Sequence, residues 1–334
     1  MMPDLDLTTY QKALVIRFSS LGDVLLTTPV IRTLKSQYPA LQIDYLVRHE
    51  YADAVRHNPN LGKVHELFRD DRDKHLIDDL SKTSYDLTID LQSNIRSRKI
   101  TKKLSGKVVR YIKPSVKKFL LVNLKINLLK EIIPIPERYA AALGDLELAE
   151  NGLELFLPDE FSDVKRESKK TIGLCSGSRH FTKQWPKEYF VELGKLLTGA
   201  GFNVVLLGGK DDISLCEEIC EQLDGAVNLS NDNDLFRTAV EMKKCSVVIC
   251  NDSGLMHLAT AVDVPTVSIF GSTVKEFGFV PYKGRNLILE NNSLSCRPCS
   301  HIGRKKCPKK HFKCMTSIAP EYVFEKFNTF YNSL

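Results

Sequence analysis

The 334-residue chain contains no run of about 20 apolar residues, the length a membrane-spanning helix requires. Its greasiest segment, FLLVNLKINLLKEIIPIP (119–136), is interrupted by Lys125, Lys130, Glu131 and two prolines. The leading MMPDLDLTTYQK lacks a basic stretch followed by an apolar core, so it does not read as a secretion signal, and a cytoplasmic protein is expected. Absent too are GxGxxG and GxxxxGK[ST], the glycine-rich turns that cradle phosphate in dinucleotide-binding and P-loop domains. That absence argues against an epimerase or a nucleotide-sugar dehydrogenase. No nucleic-acid-binding module and no low-complexity segment is present. The Asp-x-Asp at 232–234, DND, stands just before LFRTAVEM, where Asp234 reads as a helix cap, so no catalytic divalent ion is expected.

What is present is an ordinary globular composition, 43% hydrophobic and 26% charged, in a chain long enough for two domains. The net charge of +6 is unevenly placed: RSRKITKKLSGKVVRYIKPSVKK (96–118) holds ten Lys or Arg and no acid, and KKCPKK (305–310) follows Arg304. A solvated face and contact with a polyanion or an anionic bilayer both account for it. Of nine cysteines, five (Cys175, Cys216, Cys220, Cys245, Cys250) fall in strand-like or helix-like runs and read as buried thiols. The other four, Cys296, Cys299, Cys307 and Cys314, cluster in the tail. They read either as thiols in a reducing compartment or as a structural zinc set with His301 and His311 as substitute ligands.

Strand-like and helix-like runs alternate from the start. ALVIRF (13–18) precedes a helical pattern over 22–38, then come QIDYLV (42–47) and YDLTIDL (85–91), the rhythm of a parallel sheet. The basic stretch and the 119–150 region read as connection and helices. The pattern breaks at LELFLPDEFSDVKRESKK (153–170), a linker by composition. A second alternating block follows, with strands in TIGLCSG (171–177), FNVVLLGG (202–209), CSVVICND (245–252) and PTVSIFG (265–271), and helices over 187–198, 212–223, 234–243 and 254–262. The expectation is an α/β protein of two Rossmann-like domains, 1–158 and 159–319, facing a central cleft. A terminal helix over 320–334 needs a neighbour, with the N-terminal domain as one place to pack.

Three clusters sit at strand ends, where ligands of such sheets bind. In RFSSLGDVLLTTPVIRTLKSQYP (17–39), Gly22 permits a tight turn and Asp23 occupies the first helical turn, as a cap or as a chemical carboxylate. In CSGSRHFTKQWP (175–186), Ser178, Arg179, His180, Thr182 and Lys183 crowd a loop before a helix start, an anion site or a merely solvated loop anchored by Trp185. In CNDSGLMHLATAVDVPTVSIFGST (250–273), Asp252, Ser253 and Gly254 open a helix, His257 follows one turn on, and Gly271, Ser272 and Thr273 end the next strand. Asp252 as a simple cap and His257 as a core histidine remain open here.

These stretches resemble the lipopolysaccharide heptosyltransferases of glycosyltransferase family 9. RFSSLGDVLLTTPVIRTLK is similar to the family's N-terminal signature, HFTKQWP to its diphosphate-binding loop, and NDSGLMHLA with PTVSIFGST to its C-terminal signature. The tail CRPCSHIGRKKCPKKHFKCM is similar to that of the second heptosyltransferase. The resemblance runs nearly the whole chain. It departs after PTVSIFG, where the chain reads GSTVKEFGFVPYKG instead of a Pro-Thr pair and a later Gly-Pro.

The resemblance implies a GT-B fold whose N-terminal domain takes the acceptor and whose C-terminal domain takes an ADP-sugar. It implies an inverting transfer of heptose from ADP-L-glycero-D-manno-heptose to a phosphorylated Kdo-lipid A acceptor, with no cofactor, no catalytic metal, no nucleic acid and no obligate protein partner. Asp23 is similar to the catalytic base, Lys183 to the lysine that meets the diphosphate, and Asp252, Ser253, Gly254, Leu255 and His257 to the donor motif. Ser178, Thr182, Thr273 and Met242, with the Gly208–Gly209 loop, complete the implied donor set. Arg96, Arg98, Lys99, Lys102 and Lys103 are then expected to meet the acceptor or the inner face of the inner membrane. A transferase for another nucleotide-activated sugar or for the first heptose, and a non-catalytic binding protein of the same fold, are the alternatives.

Overall fold

A computed structural model describes residues 5–144, 146–161, 164 and 170–334. Part of the expected linker therefore lies outside the described residues. The chain forms two compact units: residues 1–114 with 133–156, and residues 115–132 with 157–334.

The first unit is laid down as β1 (Lys12–Ile16), α1 (Leu21–Leu25), α2 (Thr28–Gln37), β2 (Gln42–Arg48), β3 (Val64–Leu67), α3 (Arg72–Lys82), β4 (Leu87–Asp90), α4 (Ile95–Thr101) and β5 (Lys107–Arg110). The strands make one parallel sheet in the order β3-β2-β1-β4-β5, with Val15 in register with Tyr45 and Ile89. Central strands of a covered parallel sheet are buried on both faces, which is why β1 reads as an apolar run and every residue of β4, Thr88 and Asp90 included, is buried. Leu14, Ile16, Leu46, Leu67, Leu80, Tyr85 and Ile100 form the core on one side. The helical pattern expected over 22–38 is two helices, because Leu26 and Thr27 break the run just before Pro29. After the excursion that opens with α5 (Ser115–Phe119), α6 (Ile135–Ala140) returns to this unit. Arg32 on α2 then fastens the departing chain, donating to Asn151 O (2.7 Å) and Gly152 O (3.1 Å) and pairing with Glu154 (2.6 Å).

The second unit continues with β6 (Thr171–Cys175), α7 (Lys187–Gly199), β7 (Asn203–Leu206), α8 (Ile213–Cys220), β8 (Val227–Asn228), α9 (Leu235–Lys244), β9 (Val247–Asn251), α10 (Gly254–Ala261), β10 (Thr266–Phe270), β11 (Asn286–Glu290), α11 (Lys313–Thr316) and α12 (Pro320–Tyr331). Its sheet is also parallel, ordered β11-β10-β9-β6-β7-β8. Asp234 caps α9 by accepting from Arg237 N at 2.9 Å, as its place in the sequence suggested. The terminal helix buries Val323 and Phe327 in this unit's own core, where Phe327 meets the rings of Phe202 (5.3 Å) and Tyr331 (5.6 Å).

A buried polar knot closes the amino ends of the first sheet. Tyr85 Oη donates to Asp44 Oδ2 (2.8 Å), His65 Nε2 lies 3.1 Å from the same hydroxyl, and Lys12 Nζ stands 3.7 Å from Asp44. Burial pushes the Asp44 carboxyl up, but hydrogen bonds from His65, Tyr85 and Gln42 and the charge of Lys12 outweigh it and hold the pKa down at about 2.

A folded pKa depressed from the ordinary 3.8 contributes stability that is complete above that value and is lost as the pH falls through about 2. Urea unfolding followed from neutral to acid pH is therefore expected to show a stability loss in this window that Asp44→Asn removes. Phe327→Ala, which deletes a fully buried ring, is expected to destabilise the second unit by about 3–5 kcal/mol in the same measurement.

Candidate active site

Where successive strands of a parallel sheet are laid down on opposite sides of a starting strand, the loops diverge and leave room for a ligand beyond the carboxyl ends. In the first unit this point is β1 beside β4, and in the second it is β6 beside β9. The chemical residues of the sequence fall at both.

Beyond Ile16, the charged residue in the otherwise apolar ALVIRF turns inward. Arg17 is only 7% exposed, and its guanidinium donates to Leu91 O (2.8 Å) and Ser19 O (3.1 Å) and pairs with Asp23 Oδ1 at 2.5 Å. The other Asp23 oxygen accepts from Ser20 N (3.1 Å) and Ser20 Oγ (3.0 Å). The Asp23 carboxylate thus closes the start of α1 and also anchors an ion pair. Burial works against the Arg17 charge, and the neighbouring Asp23 carboxylate more than restores it, so its pKa lies above the ordinary value. The Tyr139 ring lies 5.7 Å from the guanidinium, and burial raises the phenol's pKa well above its usual range. Sequence reasoning missed Arg17; the signal was a lone charge in an apolar strand.

The expected acceptor or membrane residues lie on α4 and just after it. Arg96 is bound to Asp73 (2.7 Å) and Lys103 lies 3.5 Å from Asp78, while Arg98, Lys99 and Lys102 are exposed. Lys113 joins their field. Burial and then Arg17 lower its ammonium pKa, against the opposing charges of Asp23 and Asp90.

In the second unit, the exits of β6 and β9 are joined through one side chain. Asn251, fully buried at the end of β9, donates to Ser176 O (2.8 Å) and accepts from Trp185 N (3.0 Å). Trp185 Nε1 in turn donates to Ile318 O (2.9 Å), so the loop is anchored as expected. Anchoring places Lys183 Nζ 2.8 Å from Asp252 Oδ2, and Thr273 Oγ1 donates to the same oxygen at 2.6 Å. Asp252 is therefore not the cap of α10, a position that falls to Ser253: it is a buried carboxylate holding a lysine and a threonine from two other strand ends. Ser253 begins α10, and the hydroxyls of Ser253 and Ser272 are buried with no hydrogen-bond partner among the described residues. Such a group costs about 1–3 kcal/mol until a ligand satisfies it. Exposed N–H groups at the start of α10 add the preference of a helix N-terminus for anions.

Ser178, Gly254 and Leu255 are half-buried around this constellation, and His257 is buried one turn along α10. Two members of the expected donor set are placed otherwise. Thr182 is buried, and its hydroxyl accepts from Arg304 N at 2.8 Å, so it holds the tail. Met242 is fully buried on the inner side of α9, a core residue. Sequence reasoning also missed Asp212, whose carboxylate fills the space a side chain at Gly177 would need: a Cβ there would lie 1.9 Å from Asp212 Oδ1. Burial raises the Asp212 pKa.

The cysteine tail wraps the same loops. Cys299 N donates to Ser272 O (3.2 Å), and the buried Arg297 guanidinium donates to Gly271 O (2.6 Å) and Thr273 O (2.8 Å) while pairing with Glu290 (2.8 Å). The zinc reading of Cys296, Cys299, Cys307 and Cys314 is not carried by this arrangement. Among the described residues no group of three or more His, Cys, Asp or Glu is placed to hold a metal ion, and all four cysteines are free thiols. Cys314 is packed into the apolar core, where burial pushes its thiol up to about 11, and Cys296 Sγ faces His311 Nε2 at 3.7 Å.

The profile of glycosyltransferase family 9 (heptosyltransferase) matches residues 74–311. The lipooligosaccharide heptosyltransferase 2 of Campylobacter jejuni subsp. jejuni serotype O:2 is 27% identical over 317 residues, covering 92% of this chain and 94% of that protein. Among solved structures, the glycosyl transferase family 9 protein of Veillonella parvula DSM 2008 superposes with a TM-score of 0.79 at 22% identity, covering 97% of this chain and 98% of that one. The E. coli ADP-heptose lps heptosyltransferase II does so with a TM-score of 0.71 at 23% identity, covering 96% and 99%.

Lys183→Met removes the cation of the Lys183–Asp252–Thr273 group without touching the core. Calorimetric titration with ADP is expected to show affinity reduced about tenfold or more, and the melting temperature is expected to fall, because the buried Asp252 carboxylate loses its cation.

Proposed function

The chain belongs to glycosyltransferase family 9, the heptosyltransferases, and from that premise we propose that it moves a heptose from ADP-L-glycero-D-manno-heptose to the lipopolysaccharide inner core, with heptosyl-Kdo2-lipid A as acceptor. The protein is a glycosyltransferase. The observation that carries the finer reading is the pair of differently built carboxylates, Asp23 and Asp252, each at the ligand-binding point of its own sheet. The nearly full-length likeness to a heptosyltransferase 2 supports the second heptose.

Inversion by a single displacement needs a base at the acceptor hydroxyl and stabilisation of the charge that develops on the leaving ADP. Asp23 is the base. Its side chain keeps 18% exposure although Arg17 and Ser20 hold it, so the carboxylate is oriented yet reachable. A carboxylate is a weak base, and it serves because the attacking oxygen becomes acidic late in the displacement, when a positioned acceptor for its proton matters most.

Lys183, the unpartnered hydroxyls of Ser253 and Ser272 and the start of α10 meet the diphosphate. Asp252 is 6% exposed, and it orients Lys183 and Thr273 at the donor sugar. The exposed Arg98, Lys99 and Lys102 suit a phosphorylated lipid acceptor, and the protein works as a peripheral enzyme on the cytoplasmic face of the inner membrane.

The test is an assay of the purified chain with ADP-L-glycero-D-manno-heptose and two acceptors, Kdo2-lipid A and its monoheptosylated form, following product mass. Mass gain on the monoheptosylated acceptor alone is expected, with Asp23→Asn slower by about a hundredfold or more while ADP affinity is retained. Binding of ADP-heptose without transfer to either acceptor would overturn the acceptor assignment, and absence of ADP-sugar binding would overturn the donor assignment.

A further inference from the structure

Residues 115–132 leave the first unit's run of chain and cluster with the second. Their packing uses one side only. Leu121 and Leu129 are buried with Phe277, and Lys118 lies over the rings of Phe277 (5.7 Å) and Phe279 (5.4 Å). Lys125 Nζ donates to the backbone carbonyls of Cys296 (3.0 Å) and Pro298 (2.6 Å). The segment is therefore held in place, yet Val116, Phe119, Leu124, Ile126, Leu128 and Ile132 stand 43–71% exposed.

Single exposed apolar residues are ordinary, but six large ones in one short, well-anchored segment mark an interaction surface. Its charge identifies the partner. The same residues include Lys117, Lys118, Lys125 and Lys130 against Glu131 alone, and Lys117 and Lys130 are exposed. Apolar side chains standing out of a cationic rim suit the bilayer interface, where the rings and branched chains enter the acyl boundary and ammonium groups stay at the phosphate level. A second copy of the segment would instead bring like charge against like charge.

We infer that Ser115–Ile132 is a docking segment that seats the protein on an anionic phospholipid surface, its apolar side chains inserted and its lysines among the headgroups. The inference rests on the proposed lipid-linked acceptor, which such a surface would present. It moves the docking function from the purely basic face of α4, where Arg96 and Lys103 are already paired within the protein, to a segment that is both apolar and basic.

The experiment sediments the full chain with vesicles of mixed phosphatidylethanolamine and phosphatidylglycerol, or of phosphatidylcholine alone. Two double variants are compared with it, Phe119→Ser with Leu124→Ser, and Lys117→Glu with Lys130→Glu. The unaltered chain is expected to prefer the anionic vesicles, and each variant to bind about tenfold or more weakly. Melting temperatures and transfer to a deacylated, water-soluble acceptor are expected to be unchanged. Equal binding by the chain and the Phe119→Ser, Leu124→Ser variant, or no preference for the anionic lipid, overturns the inference. So does a concentration-dependent dimer that this variant dissociates, since a second copy then covers the surface. Failure of the unaltered chain to act on the soluble acceptor would count against the proposed reaction, while the vesicle result decides docking independently.

Discussion

The Asn251 side chain is the constraint from which the second unit's chemistry follows. A fully buried amide must place both its N–H groups and its oxygen against partners, and this one does so by tying the exit of β6 to the Trp185 backbone. The Trp185 ring, wedged against Tyr189 and Phe190 and bonded to Ile318 O, fixes the other side of the loop. Lys183 lies two residues upstream and has little freedom left, so its ion pair with Asp252 is a consequence of backbone geometry as much as of charge. Because the lysine is pre-placed, less conformational entropy is lost when an anion arrives.

Arg17 plays the corresponding part in the first unit, with the polarity reversed. There a buried cation binds two backbone carbonyls and presents a carboxylate, whereas in the second unit a buried carboxylate presents a cation. The difference in enclosure separates the two acids. Asp252 is closed in by Lys183 and Thr273, and Asp23 keeps an open side. One arrangement suits holding, and the other suits exchanging a proton.

Much of this was legible in the sequence because parallel strands buried on both faces leave unbroken apolar runs. ALVIRF, TIGLCSG, CSVVICND and PTVSIFG all contain strands within a residue or two of where they were expected. The strands β3, β5, β8 and β11 were not foreseen: all four are sheet edges, and VHEL, KVVR and VN are short runs with polar residues whose pattern does not rise above that of loops. At the site, residues with a sequence-local signal were found, such as Asp23 in a turn, Lys183 before Trp185 and Asp252 at a helix start. Those whose role depends on distant backbone were not. Arg17 acts through Leu91 O, Arg297 through Gly271 O and Thr273 O, and Asp212 through its fit against Gly177, and no local spacing encodes such partners.

The way the second unit is knitted also orders the chain's birth on the ribosome. The first sheet is complete once β5 has emerged, and its last fastening, Arg32 to residues 151–154, follows soon after. The segment 115–132 emerges in the same interval, but its partner Phe277 and the carbonyls of Cys296 and Pro298 lie far downstream and are not yet made. The loops that hold Thr182, Ser272 and Thr273 wait as long for Arg297, and longer for Arg304 and Ile318. A nascent chain therefore carries a greasy, cationic stretch without its seat through a long part of translation, and a polypeptide cut short before residue 297 would contain the strands of both sheets yet lack the clasp on these loops and the core side chains of α11 and α12.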